Sequence, residues 1–321
     1  MIEIKMGEVF DEIKDRDVDV LIIGAGPAGL TAGMYAGRAG LKTVILEKET
    51  IGGQLSLTDW IEDYPGFPDG IKAGELINLM KKHAENFGAK IVREEAKKIE
   101  VLDGGFKKVT TGSGEWKAKA VIVATGAHHK KLGVKGESEL MGRGVSNCAV
   151  CDGPFFKEKD IVVVGGGDSA VTEAIYLTRF AKKVYIVHRR DQFRAQKIYV
   201  ERAKNNPKIE FILDTVVTEI KGEHKVEGVV LKNVKTGEIK ELPCSAVFVF
   251  VGLIPNSEIL KGIAKLDDRN AVITNEKMET EVPGIYAVGD VRSTALRQAV
   301  TAASDGAIAA MMAENYIAEN F

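Results

Sequence analysis

Two of the three cysteines in this 321-residue chain stand two residues apart, in Cys148-Ala149-Val150-Cys151-Asp152, with a carboxylate directly after the second. A pair at that spacing can close a small disulfide ring and open it again, because a thiolate attacks a disulfide sulfur through a mixed-disulfide intermediate. The same spacing is half of a four-ligand zinc site, and it also suits a structural bridge. Zinc needs two further ligands. No second C-x-x-C is present, Cys244 is alone, and of His83, His128, His129, His188 and His224 only His128 and His129 are neighbours. No metal site is expected on that count. The pair by itself leaves the redox, zinc and structural readings open. What favours redox is its position between two glycine-rich signatures.

Each signature needs a strand, a turn and a helix to position it. Val18 to Ile23 is a β-type run that enters Gly24-Ala25-Gly26-Pro27-Ala28-Gly29 and then a helical stretch to about Ala39. In this G-x-G-x-x-G turn Gly24 makes the tight bend, Gly26 lets a pyrophosphate approach the backbone, and Gly29 lets helix and strand pack closely. The helix N-terminus adds free N–H groups and the positive end of its dipole. A second strand, Lys42 to Leu46, ends at Glu47, where a carboxylate can accept both hydroxyls of an adenosine ribose. The second signature repeats this plan. Asp160 to Val164 runs into Gly165-Gly166-Gly167-Asp168-Ser169-Ala170 and a helix through Phe180, followed by the strand Lys183 to Val187. His188 lies as far beyond Gly165 as Glu47 lies beyond Gly24. In place of the acid stands His188-Arg189-Arg190, with Arg194 one helical turn further on. Arginines there pair with a 2′-phosphate that an acid would repel, although a basic cluster can also be a solvated face. The first turn therefore suits an adenine dinucleotide without a 2′-phosphate, and the second suits NADPH.

Other stretches fit around these two. Gly52-Gly53-Gln54-Leu55 implies close backbone approach to a ligand, or an ordinary turn. Gly74 to Phe87 reads as an amphipathic helix ended by Gly88. A small meander is closed by the strand Ala120 to Val123, where Ala124-Thr125-Gly126 looks like a strand end meeting a ligand. Residues 127 to 147 read as a domain boundary, 209 to 250 as a second meander, and Val251 to Asn256 as the return crossing. Near the end, Gly289-Asp290 follows a short strand, and Arg297-Gln298-Ala299 opens an alanine-rich helix to about Asn315. Asp290 can bond a ribityl hydroxyl or a phosphate-bound water, or simply cap a loop. Met6, Val9, Phe10 and Ile13 have helical spacing, so residues 1 to 17 suit a short helix or an extension. Cys244 is expected to be a buried structural thiol.

Composition bounds the function. The length suits about two domains of roughly 150 residues each. With 45% apolar and 28% charged residues the chain can bury a core. A net charge of −2 offers no electrostatic case for nucleic acid or a membrane. No apolar run reaches the roughly 20 residues of a span, and the start lacks the basic-then-apolar pattern of an export signal. A cytoplasmic location is the expectation.

Taken in order, the two glycine turns, Gly52-Gly53-Gln54-Leu55, Cys148-Ala149-Val150-Cys151-Asp152-Gly153, His188-Arg189-Arg190, and Gly289-Asp290 with Arg297-Gln298-Ala299 resemble the low-molecular-weight thioredoxin reductases of the bacterial and archaeal type. The likeness runs from about Val18 to the C-terminus. It implies an α/β fold of two Rossmann-like nucleotide-binding domains, the second inserted into the first. An FAD domain of residues 1–127 and 255–321 would enclose an NADPH domain of residues 128–254 carrying the redox pair. Gly24, Gly26, Pro27, Ala28, Glu47, Gly53, Gln54, Leu55, Asp63, Ala124, Gly126, Gly289, Asp290, Arg297, Gln298 and Ala299 would hold FAD. Gly166, Gly167, Asp168, Ser169, His188, Arg189, Arg190 and Arg194 would hold NADPH. Cys151 would face the flavin, Cys148 would attack the disulfide of thioredoxin, and Asp152 would serve as general acid. The family is homodimeric and is understood to rotate its NADPH domain between two orientations. Two alternatives are a related flavin reductase serving another disulfide protein and a non-catalytic module binding NADPH or zinc. The longer opening segment is the one departure from the family pattern.

Overall fold

The computed structural model describes residues 13–57, 60–61 and 63–321. The expected N-terminal helix lies largely outside them, although Ile13 is described and packs on a core cluster. The chain divides into two compact units. One comprises the described residues up to His128 together with Ile254–Phe321, and the other is His129–Leu253.

The first unit is built on a seven-stranded sheet. Lys90–Arg93, Thr43–Glu47, Asp17–Ile23 and Glu115–Val123 are parallel neighbours in that order. Glu115–Val123 then divides its far edge. Its first half pairs antiparallel with Lys107–Thr111, which continues to Ala96–Val101, while Val121–Val123 pairs parallel with Ile285–Ala287. The parallel strands are almost unbroken apolar runs because both faces are covered. Val20 and Ile22 enter one cluster, with the helices Pro27–Arg38, Ala73–Asn86 and Ala299–Asn320 packed on it. Leu21 and Ile23 point the other way, toward Val109, Trp116 and the Leu260–Val272 segment. Trp116 is fully buried, and its indole N–H donates to Glu94 Oε2 at 3.0 Å. The same carboxylate takes a forked contact from Arg16 at 2.6 and 3.1 Å, which ties the chain's opening to the meander.

The second unit carries a five-stranded parallel sheet in the order Val145–Ser146, Ala246–Phe250, Asp160–Gly165, Lys183–Val187, Ile209–Ile212. A separate antiparallel sheet is formed by Thr215–Lys221, Gly228–Asn233 and Ile239–Pro243. The stretch 209–250 is thus not one meander. Its first and last strands belong to the parallel sheet, a pairing that apolar alternation cannot reveal because it does not identify a strand's partner. The C-terminal helix also runs on to Asn320, five residues beyond the expected end, since Tyr316 and Ile317 still pack on the core. The chain crosses between units through Ala127–His129 and Leu253–Pro255, which pair as a two-stranded ribbon.

Candidate active site and nucleotide cradles

In the second unit Cys148 and Cys151 are joined as a disulfide with Cα atoms 5.3 Å apart. Cys148 caps a four-residue helix, Ala149–Asp152, and its sulfur accepts the N–H of Cys151 at 3.2 Å. A donor at that sulfur favours its thiolate once the ring opens. The approach is fixed from both sides: the Cys148 N–H donates to Ser146 Oγ at 3.0 Å, and the Asn147 side chain donates to the Val249 carbonyl at 2.8 Å. Ala149 is buried against Ala170, Val171 and Ala174 of the following helix. Both cysteines and Asp152 remain half-buried, whereas Val150 and Phe155 are exposed. Cys244 is buried, and burial pushes its thiol up to about 12, so it is inert at neutral pH.

The first glycine turn has two closed positions and one open one. A Cβ on Gly29 would meet the Gly24 carbonyl at 1.8 Å, and one on Gly24 would meet Ala124 O at 2.4 Å, while nothing lies within 4 Å at Gly26. Only at Gly26 does the turn leave its backbone accessible to a phosphate. Several of the sequence-predicted residues converge there. A Cβ on Gly53 would lie 3.4 Å from Gly26 Cα, and one on Gly289 would lie 3.2 Å from Ala28 Cβ. Pro27 opens the helix. Glu47 is buried, with Oε2 accepting from Ala25 N at 2.8 Å and Oε1 from Glu49 N at 2.9 Å, so its carboxylate is oriented before any ribose arrives. Asp290 is half-buried and no described residue hydrogen-bonds its carboxylate, which burial holds above the ordinary range while Arg297 pulls it back. Gln298 and Thr301 form a capping box at the start of the long helix, just before Ala299. Gln54 and Asp63 are exposed, and Leu55 packs beside the core. Gly126 lies at the mouth of the crossing, its carbonyl accepting from Asn256 N at 3.0 Å.

The second turn repeats the pattern. Gly167 is open, whereas a Cβ on Gly166 would strike the His188 ring at 2.2 Å. That ring is buried, stacked on Phe193 at 5.1 Å, with Nε2 3.1 Å from the Gln192 carbonyl. Burial lowers its pKa, and the neighbouring arginines lower it further against the Gln192 bond. His188 thus props the turn from beneath as a neutral ring, and only Nδ1 remains for a ligand. Arg194 N donates to the Gly166 carbonyl at 2.8 Å, and Gln196 N donates to Asp168 Oδ1 at 2.7 Å, so Asp168 hangs the basic loop on the turn. Ser169, Arg189, Arg190 and Arg194 are exposed, and the three arginines carry no ion pair among the described residues.

Sequence reasoning passed over Arg292 and Asp305, and it placed Asn256 only in the return crossing; Asn256 bonds Gly126, and Asp305 bonds Gly289. The signal for Asp305 was present: an acid on the buried face of an alanine-rich helix needs a partner.

The model for the family described as pyridine nucleotide-disulphide oxidoreductase matches residues 18–306, and the chain belongs to that family. It is 50% identical over 308 residues to the thioredoxin reductase of Bacillus subtilis (strain 168), covering 95% of this chain and 96% of that one. It is 48% identical over 303 residues to the thioredoxin reductase of Treponema pallidum (strain Nichols), with 94% and 98% covered. The crystal structure of thioredoxin reductase from Streptococcus pyogenes matches with a TM-score of 0.91 at 48% identity, covering 95% of this chain and all of that one. Within the family the chain therefore stands with the low-molecular-weight thioredoxin reductases. Membership implies a flavin and a pyridine nucleotide. Two open glycine cradles, with a half-buried carboxylate and three arginines that have no hydrogen-bonded or ion-pair partner for their side chains among the described residues, fit two such groups. Among the described residues no group of His, Cys, Asp and Glu could hold a metal, and no helix is long and apolar enough to cross a membrane.

Proposed function

We propose that this oxidoreductase takes electrons from NADPH, passes them through FAD to the Cys148–Cys151 disulfide, and delivers them to the disulfide of a thioredoxin. FAD would sit on the Gly24–Gly29 turn with Glu47, Gly53, Asp290 and Gln298 around it. NADPH would lie on the Gly165–Ala170 turn, with Arg189, Arg190 and Arg194 at its 2′-phosphate. The observation that carries the reading is the disulfide itself. It is mounted at a helix cap in the same unit as the arginine-bearing turn. FAD when bound supplies the carrier that turns hydride chemistry into disulfide reduction.

The protein's part is thiol and proton chemistry. Two electrons and two protons open the ring to a dithiol. Cys148 passes its thiol proton to Asp152 and attacks one sulfur of the partner disulfide as a thiolate, and the partner's other sulfur leaves as a thiolate that takes that proton back from Asp152. Cys151 then attacks the Cys148 sulfur and breaks the mixed disulfide; the ring re-forms, and the proton that Cys151 gives up ends on the second departing sulfur, which releases the partner as a dithiol. Exposed Val150 and Phe155 give a protein partner apolar surface near the pair. A cytoplasmic homodimer is part of the same reading, since a reducing compartment keeps the partner's thiols in use.

Anaerobic NADPH titration should bleach the flavin absorbance, and added thioredoxin should restore it. Cys148→Ser and Cys151→Ser should each abolish thioredoxin reduction while NADPH still bleaches the flavin. Normal thioredoxin turnover by either variant would sink the assignment.

A further inference from the structure

A largely buried ion pair in the first unit bonds Gly289 of the nucleotide cradle. Asp305 lies on the helix Ala299–Asn320 and is 8% exposed. Its Oδ2 accepts the N–H of Gly289 at 3.0 Å and Arg292 Nη1 at 3.1 Å, and its Oδ1 is 3.3 Å from the same Nη1. Arg292 Nε donates to Thr274 Oγ1 at 2.8 Å, and Arg292 N donates to the Gly289 carbonyl at 3.1 Å. The short helical turn Gly289–Val291 is therefore held at both ends by one carboxylate, at Gly289 through its amide and at residue 292 through its guanidinium. Gly289 has φ +71°, a left-handed conformation that the Asp305 bond helps to fix. Asp290, which this turn presents, has its own carboxylate unbonded.

An asparagine or a hydroxyl could also accept the Gly289 amide, through a weaker neutral bond that buries no charge. A carboxylate adds a second negative charge close to the half-buried Asp290 and then needs a cation, and withdrawing both ions from water carries a desolvation cost. The costlier solution is explained if the turn must be fixed at both ends while the charge beside Asp290 is kept balanced. We propose that Arg292 and Asp305 are a positioning pair for the flavin site: Asp305 fixes the turn that presents Asp290, and Arg292 cancels the added negative charge. The inference rests on the reading that Asp290 contacts FAD.

The test is a double-mutant cycle on purified holoenzyme. FAD is stripped with mild chaotrope and its affinity measured by quenching of flavin fluorescence on re-titration, with Tm recorded in parallel. Arg292→Leu leaves the Asp305 charge unbalanced and should weaken FAD about tenfold or more. Asp305→Asn keeps an acceptor for Gly289 but leaves Arg292 unpaired, and should weaken it severalfold. The double variant R292L/D305N is neutral and should recover to within about threefold of the parent, a coupling larger than additivity allows. If R292L does not fold, Arg292→Gln takes its place in the same cycle. Unchanged FAD affinity in the single variants, or a double variant as weak as R292L, would overturn the pairing, as would a fall in Tm with no change in affinity. A parent protein that binds no FAD would overturn the flavin reading itself.

Discussion

Arg189, Arg190 and Arg194 are positive charges with no ion pair among the described residues, on a loop that the fold holds firmly. Their backbone is fixed by Gly166 and Asp168, so little ordering cost remains when an anion arrives. Each charge-assisted bond to a 2′-phosphate contributes roughly 1.5–3 kcal/mol. Replacing Arg189 and Arg190 with Ala should therefore raise the apparent KM for NADPH by about tenfold or more per residue and leave NADH nearly unchanged. Steady-state kinetics with both cofactors checks this, and equal weakening would make the arginines structural. The arginines were legible in the sequence from their distance to the glycine turn. The placement of His188 was not. A histidine at the ribose position reads as a ligand, and only the ring's stacking on Phe193 beneath Gly166 gives it a supporting role.

At the scale of elements, the two strand–turn–helix units were readable almost residue by residue, because glycine spacing and unbroken apolar runs are local signals. Pairing partners were not, as the strands Ile209–Ile212 and Ala246–Phe250 illustrate. Nor was the environment of Lys107. It stands in the strand Lys107–Thr111, where an exposed lysine is ordinary, yet it is fully buried. Its ammonium donates to the Lys119 carbonyl at 2.8 Å and to the Tyr316 hydroxyl at 3.0 Å, and lies 4.3 Å from the Tyr316 ring centre. Burial lowers its pKa from 10.5 to about 8. Between those two values the unfolded chain holds more protons than the folded one, so stability contributed here rises with pH. Below about pH 8 the ammonium is charged in both states and its desolvation cost is full. Lys107→Met removes the titration. The stability of the parent relative to this variant should climb between pH 8 and 10 by on the order of 1–3 kcal/mol, measured by urea denaturation. Parallel pH profiles would contradict the account.

For the molecule as a whole, the ribbon of Ala127–His129 and Leu253–Pro255 carries both covalent connections between the units, and Asn256 fastens it. The Asn256 side chain donates to the Thr125 carbonyl at 2.8 Å and meets His128 Nδ1 at 2.6 Å, while its carbonyl accepts from Thr125 Oγ1 at 2.7 Å. Asn256→Ala removes the two side-chain bonds, a loss of about 1–3 kcal/mol in local stability. Amides of residues 126–130, 252–254 and 256 should then exchange hydrogen roughly 5- to 100-fold faster, with the main sheet of each unit unaffected. Unchanged exchange in the ribbon, or faster exchange everywhere, would count against Asn256 as a local clasp. The division of the Glu115–Val123 edge also bears on how the protein is made. Synthesis proceeds from the N-terminus, so all five strands of the second unit's parallel sheet leave the ribosome before Ile285–Ala287. The inserted unit can close its sheet while the enclosing one waits with the backbone of Val121–Val123 unpaired on that side. During that interval the first unit presents a bare apolar strand edge, the kind of surface on which nascent chains aggregate and chaperones act.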